Sequence, residues 1–171
     1  SPDGTKVVFF SERSVFSINL FLADVQSGKI LAQLTEMAID PHMDAIQFVS
    51  SAGSWKPDGT EFTYVAETDG KPTLRSYSPG TRNTAWEYQI DKLGEIQNPT
   101  WSPDGTRIAF SGMKGGLVDL YVFDVARREL TRLSNDAYAD VLPNWSPDGT
   151  RIAFSTDRYT SNLETLSFGS F

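Results

Sequence analysis

The stretch Trp145-Ser-Pro-Asp-Gly-Thr-Arg-Ile-Ala-Phe-Ser155 occurs a second time, unchanged, at Trp101 to Ser111. Two looser copies lie upstream: Trp55-Lys-Pro-Asp-Gly-Thr-Glu-Phe-Thr-Tyr64 and, without its tryptophan, Ser1-Pro-Asp-Gly-Thr-Lys-Val-Val-Phe-Phe10. Each copy has a local reading as a tight hairpin. Proline presets φ at the first corner, aspartate bonds the backbone beyond it, and glycine accepts the left-handed conformation that closes the turn. The residues after the turn alternate as a strand does, with Ile152 and Phe154 on one face and the small Ala153 on the other. Because Asp3, Asp58, Asp104 and Asp148 recur in every copy, they are read as turn formers and assigned no chemistry.

The turn glycines stand at 4, 59, 105 and 149, spacings of 55, 46 and 44 residues. Periods of about 40–45 residues are those of propeller blades with four strands each. A third strand is read in Asn19 to Val25 and in Asp119 to Val125, with Leu20, Leu74, Leu120 and Leu163 in matching places. A fourth follows as Lys29 to Thr35 and Glu129 to Ser134. The second copy departs here, offering Thr84 to Ile90, whose Trp86 and Tyr88 would fill a wider outer gap. Extra length in the first period falls in Glu36 to Ser54 and predicts a long loop or a bulged inner strand. The expected fold is therefore all-β, a β-propeller of four-stranded antiparallel blades present as a partial, open segment. Its blades run approximately over 1–35 (lacking the first strand), 46–90, 95–134 and 141–171 (lacking the last strand). Closure of a ring protects strand edges, so the reading expects further blades from the rest of a longer chain.

With 171 residues, 39% hydrophobic and 12% aromatic, the chain can bury a core and is not disordered. Lys plus Arg total 15 against 22 Asp plus Glu, a net charge of −7, which works against binding a phosphate backbone, so no nucleic-acid partner is expected. The absence of cysteine excludes disulfides and thiolate metal sites. No run approaches the ~18 apolar residues of a membrane helix, so this segment is not expected to insert into a membrane.

Trp-Ser-Pro-Asp-Gly-Thr-Arg-Ile-Ala-Phe, followed by Asp-Leu-Tyr-Val-Phe-Asp-Val and Leu-Thr-Arg-Leu-Ser, resembles the TolB-type β-propeller repeat, a relative in shape of the WD repeats. The resemblance covers nearly all of the chain, although the second copy carries Lys56 for serine and lacks the usual third-strand Asp-Leu-Tyr. It implies a non-catalytic protein- or peptide-binding module of a bacterial envelope or secreted protein, in a periplasmic or extracellular location. Similar repeats also form the gating propellers of prolyl-oligopeptidase-type serine peptidases, the alternative reading, in which a hydrolase domain outside this segment does the chemistry.

Catalytic and metal constellations are missing from the sequence. The lone histidine, His42, stands in the loop Asp40-Pro-His-Met-Asp44 and reads as a polar loop residue. There is no G-x-S-x-G elbow, no H-E-x-x-H, no phosphate-binding glycine loop and no EF-type calcium loop. Gly112-Met-Lys-Gly-Gly116 is read as a flexible turn. No cofactor and no metal are expected. What varies between copies is the set of loops on the face opposite the Asp-Gly turns: 12–17, 35–44, 68–72, 91–97, 113–118, 135–142 and 156–161. Binding residues concentrate on loops held by a rigid scaffold. Acidic groups at Asp40, Asp44, Glu95, Asp136 and Asp140 collect there. Asp44, Glu95, Tyr138 and Asp140 are expected to contact a basic or amide-rich protein or peptide.

Overall fold

The computed structural model describes residues 1–14, 17–35, 45–46 and 53–158, and none of these is helical. The strands β1 (Lys6–Ser14), β2 (Ser17–Asp24) and β3 (Ile30–Gln33) form the first sheet, hydrogen-bonded in chain order. The second sheet contains β4 (Ala45–Ile46), β5 (Ser54–Trp55), β6 (Phe62–Thr68), β7 (Lys71–Ser78) and β8 (Asn83–Gln89). The third contains β9 (Glu95–Trp101), β10 (Arg107–Lys114), β11 (Leu117–Asp124) and β12 (Glu129–Arg132), and β13 (Asp140–Trp145) with β14 (Ile152–Thr156) opens the fourth. All pairings are antiparallel and none crosses over, as blades of an open propeller require. Leu163 and the rest of the last copy beyond residue 158 lie outside the described residues.

The core lies between sheets, because a strand that alternates apolar side chains to both faces is buried only when a neighbour covers each one. Leu20, Phe62, Tyr64, Ala66 and Tyr77 close the first gap. Val65, Leu74, Ile96, Trp101, Ile108, Phe110, Tyr121 and Phe123 close the second. Ala109, Val122 and Trp145 begin the third. Trp86 and Tyr88 do fill the outer part of the second gap: Tyr88 tilts against Phe123 at 4.4 Å and Trp86 meets Trp101 edge-on at 6.3 Å. On the outward side of the first sheet the pattern lacks a cover. Val7 is 43% exposed, whereas Ile108, in the same place in the third sheet, is fully buried.

The repeated tryptophan is a peg driven into the preceding sheet. Trp101 Nε1 donates to Thr63 Oγ1 at 3.2 Å, and Trp145 Nε1 donates to the Thr100 carbonyl at 3.2 Å. The small residue packed with Trp145 is Ala109, where the second sheet has Thr63 under Trp101. A cation covers each ring from the preceding sheet, but from different positions. Lys56 Nζ stands 5.6 Å from the Trp101 ring and Arg107 stands 5.0 Å from that of Trp145. In the second sheet Glu61 replaces that arginine; it accepts from Trp86 Nε1 at 2.7 Å and Ser76 Oγ at 2.7 Å and pairs with Lys56 at 3.4 Å.

Each inner strand is bulged at one place. Between Gln97 and Thr100 on β9, and between Val141 and Asn144 on β13, one extra residue is accommodated. The bulge residues Asn98 and Leu142 are left-handed, φ 53° and 57°. In the second sheet Ile46 pairs with Ala66 and Ser54 with Thr63, so the extra length of the first period enters at this same point. Gly112 requires a correction of the turn reading. It lies inside β10, paired with Ile96 and Asp119, and only Gly115 and Gly116 make the turn. A Cβ on Gly112 would come within 2.6 Å of Leu93 and 2.8 Å of Tyr121, so glycine is there for close packing.

Candidate binding face

The two ends of the stacked sheets are built differently. At one end stand the Asp-Gly turns. Asp104 Oδ1 accepts from Ser102 Oγ at 2.6 Å, Thr106 Oγ1 at 2.8 Å and Thr106 N at 3.0 Å, and Asp148 repeats all three distances with Ser146 and Thr150. Asp58 keeps the two Thr60 bonds, and Lys56, in place of the serine, pairs with its Oδ2 at 3.5 Å. The Ser146 hydroxyl first, then the Thr150 amide, holds the Asp148 carboxyl down at about 2. Asp104 is lowered chiefly by Ser102, Asp58 by Thr60 and Asp3 by Ser1. Successive turns touch: a Cβ on Gly149 would lie 3.6 Å from Pro103, and one on Gly105 3.7 Å from Pro57. One oxygen of each of these carboxylates is held by its own loop, which fixes it as part of the turn.

The opposite end carries the expected site residues. Asp44, with Asp40 and His42, lies outside the described residues. Glu95 opens β9, half-buried, and its Oε1 accepts from Gln97 Nε2 at 2.6 Å. Tyr138 is 42% exposed. Its amide donates to Asp136 Oδ1 at 3.0 Å, and the Arg158 guanidinium lies over its ring at 5.5 Å. Asp140 does not line an open acidic rim: it is fully buried, and Arg158 Nη2 donates to its Oδ2 at 3.1 Å while also bonding Asp136. Asp157 Oδ1 completes the brace by accepting from Ala139 N at 2.8 Å. Tyr138 and Asp140 are thus brought together by Arg158, as an exposed ring on a buried ionic support. Glu95 belongs to the neighbouring inner strand, beside β13.

Arg158 and Leu142 were not singled out from the sequence. Arg158 could have been found by pairing β13 with β14, since Asp140 faces Thr156 two residues before it. Leu142 gives no such signal. It is 55% exposed on the β13 bulge, and its left-handed backbone depends on the ladder around it. The same end of the third sheet holds Asp119, fully buried, bonded by Arg132 and, at 3.4 Å, by Ser134 Oγ. Among the described residues no group of three or more His, Cys, Asp or Glu is placed to hold a metal, and no helix is long and apolar enough to cross a membrane.

Residues 48–162 match the family model described as the TolB beta propeller domain. Among curated proteins, the Tol-Pal system protein TolB of Anaeromyxobacter dehalogenans is 38% identical over 93 residues, 53% of this chain and 20% of the relative. Among solved structures, a TolB candidate from Agrobacterium tumefaciens superposes with TM-score 0.72 at 22% identity, over 95% of this chain and 53% of the other. TolB from Acinetobacter baumannii gives 0.68 at 21%, over 90% of this chain and 35% of the other. At these identities the structural likenesses show the fold. The chain spans about a fifth of the length of the curated relative it matches.

Proposed function

The chain belongs to the TolB beta propeller domain family, and from that premise we propose that it is a non-catalytic protein- or peptide-binding module of a bacterial envelope protein. Its binding surface is the face opposite the Asp-Gly turns. A relative named as a component of the Tol-Pal system supports an envelope role with a protein partner, on the periplasmic side as the repeat implies. The observation that carries the reading is the braced Tyr138. A half-exposed aromatic ring held by Arg158, Asp136 and Asp157 gives large contact area at little ordering cost, the property of an interface anchor. Glu95, on the neighbouring inner strand, supplies charge for the partner and Asp44 is proposed as a further contact, while Asp140 acts from below through Arg158. The uncovered Val7 side of the first sheet is the seat of a further blade.

The test places a photo-crosslinking residue at position 138, and separately at Thr150 on the turn end, in the full-length protein in cells. Discrete protein adducts from position 138 and none from position 150 are expected. Adducts from position 150 alone overturn the assignment of the face, and peptide hydrolysis by the isolated propeller overturns the non-catalytic reading.

A further inference from the structure

The second and third gaps are built from the same positions of the repeat, which allows them to be compared residue by residue. Six residues after the turn glycine stand Val65 in the second sheet and Ser111 in the third, and nine residues before it stand Ile96 in the third sheet and Asp140 in the fourth. In the second gap Val65 and Ile96 belong to one apolar cluster. In the third gap Ser111 and Asp140 take those two places and are just as deeply buried. The strand register sets both toward this gap. β10 pairs without interruption from Arg107 to Lys114, so Ser111 shares a face with Ala109, which packs with Trp145. Asp140 pairs with Thr156, on the same face of β14 as Ile152, which packs on that cluster too. Among the described residues, Ser111 Oγ and Asp140 Oδ1 have no hydrogen-bond partner.

A polar pair in an otherwise apolar seam weakens the fold, because neither group recovers the hydration it gave up. The second gap demonstrates that the repeat closes at these positions with hydrocarbon. What the polar pair supplies is a seat for Arg158. Its Nη2 donates to Asp140 Oδ2 at 3.1 Å and bonds Asp136, and the same guanidinium lies over the Tyr138 ring at 5.5 Å. We propose that Ser111 and Asp140 are positioning residues for the binding face, a buried polar layer that the fold does not require and that holds the Tyr138 loop in place through Arg158. The proposal rests on the reading of Tyr138 as a partner contact. The serine hydroxyl is a donor and Asp140 Oδ1 an acceptor, so from opposite sides of one gap each offers what the other lacks. A carboxylate inside the seam anchors the guanidinium from below, where salt screens it little, and the partner then meets a ring that is already fixed.

The test compares the full-length protein with its S111V/D140I variant, which copies the second gap into the third and leaves Arg158 its bond to Asp136. The urea midpoint of the double variant should equal or exceed that of the parent, since a buried ionic group replaced by fitted hydrocarbon commonly costs no stability. S111V alone should lower it, because the Asp140 carboxylate then faces a methyl group. Hydrogen exchange is read at the Tyr138 and Ala139 amides, which donate to Asp136 and Asp157. In the double variant it should quicken by about ten-fold or more, the scale of one lost hydrogen bond to a charged group, while exchange at Trp145 keeps the parent's rate. Photo-crosslinking from position 138 should fall with it. A lower midpoint for the double variant shows that the fold needs the layer. Unchanged exchange at 138 and 139 shows that the layer does not hold the loop, and undiminished adducts show that binding does not use it; each of the three overturns the proposal. If the parent itself yields no adduct from position 138, the assignment of the binding face fails, and the exchange rates still decide the positioning.

Discussion

Asp104 and Asp148, in turns 44 residues apart, make the same three hydrogen bonds at the same three distances. At the other end of the sheets, two residues in matching places behave otherwise. Asn19 in the first sheet accepts from Thr35 Oγ1 at 3.3 Å, and Gln33 donates to the Thr35 carbonyl at 2.8 Å, all neutral. Asp119 in the third sheet takes Ser134 as Asn19 takes Thr35, and in addition takes the arginine directly, Arg132 donating to its carboxylate, so the tie carries full charges. In both, the hydroxyl also receives the amide of the next leucine at 3.0 Å, so the scaffold of the tie is constant and its charge is not. The turn end is closed by residues two to five apart, whereas the arginine–aspartate ties of the opposite end join residues thirteen to twenty-two apart. Local chemistry can be copied with the repeat; the long-range ties are set sheet by sheet.

The largest predicted effect strikes the long-range end. R158A leaves the buried Asp140 without its cation and should cost about 3 to 5 kcal/mol in urea unfolding, far more than any turn substitution. R132Q alone should also be strongly destabilising. The double variant D119N/R132Q, which rewrites the charged tie as the neutral one of the first sheet, should return to within about 1 kcal/mol of the parent. A double variant as unstable as the single would show that the two ties are not equivalent. At the turn end, D104A removes three bonds from an exposed carboxylate, and about 1 kcal/mol is expected. The smallest effect is in acid. Folded-state pKa values of the turn aspartates lie below the unfolded value, so their contribution is complete above about pH 4 and is lost as pH falls toward about 2. D104N/D148N should flatten that part of the acid stability profile; an unchanged profile would mean that other carboxylates govern it.

The turn end was almost wholly legible because proline, aspartate and glycine act on their own neighbours. The strands after it could be read for the same reason, but the tryptophan peg could not, since its partners Thr63 and Thr100 lie 38 and 45 residues away. Two readings at the other end needed the third dimension. Gly112 looks like part of a glycine-rich turn until Leu93 and Tyr121 are packed against it. Asp140 looks like an open loop carboxylate until β14 brings Arg158 beneath it. In both cases the deciding neighbour is far away in sequence or comes from a different strand, and composition carries no trace of it.

Two identical eleven-residue tracts in one chain offer a folding polypeptide a choice of which copy to seat where. The tracts cannot discriminate, so the choice rests with the sockets. The Trp101 socket presents a hydroxyl from Thr63 and an ammonium from Lys56; the Trp145 socket presents a main-chain carbonyl at Thr100 and a guanidinium from Arg107. The Trp145 socket, moreover, contains residues of the very strand that ends in Trp101, so it is complete only after the earlier blade has formed. A tryptophan of this repeat is therefore told apart by what the blade before it supplies, and not by its own eleven residues.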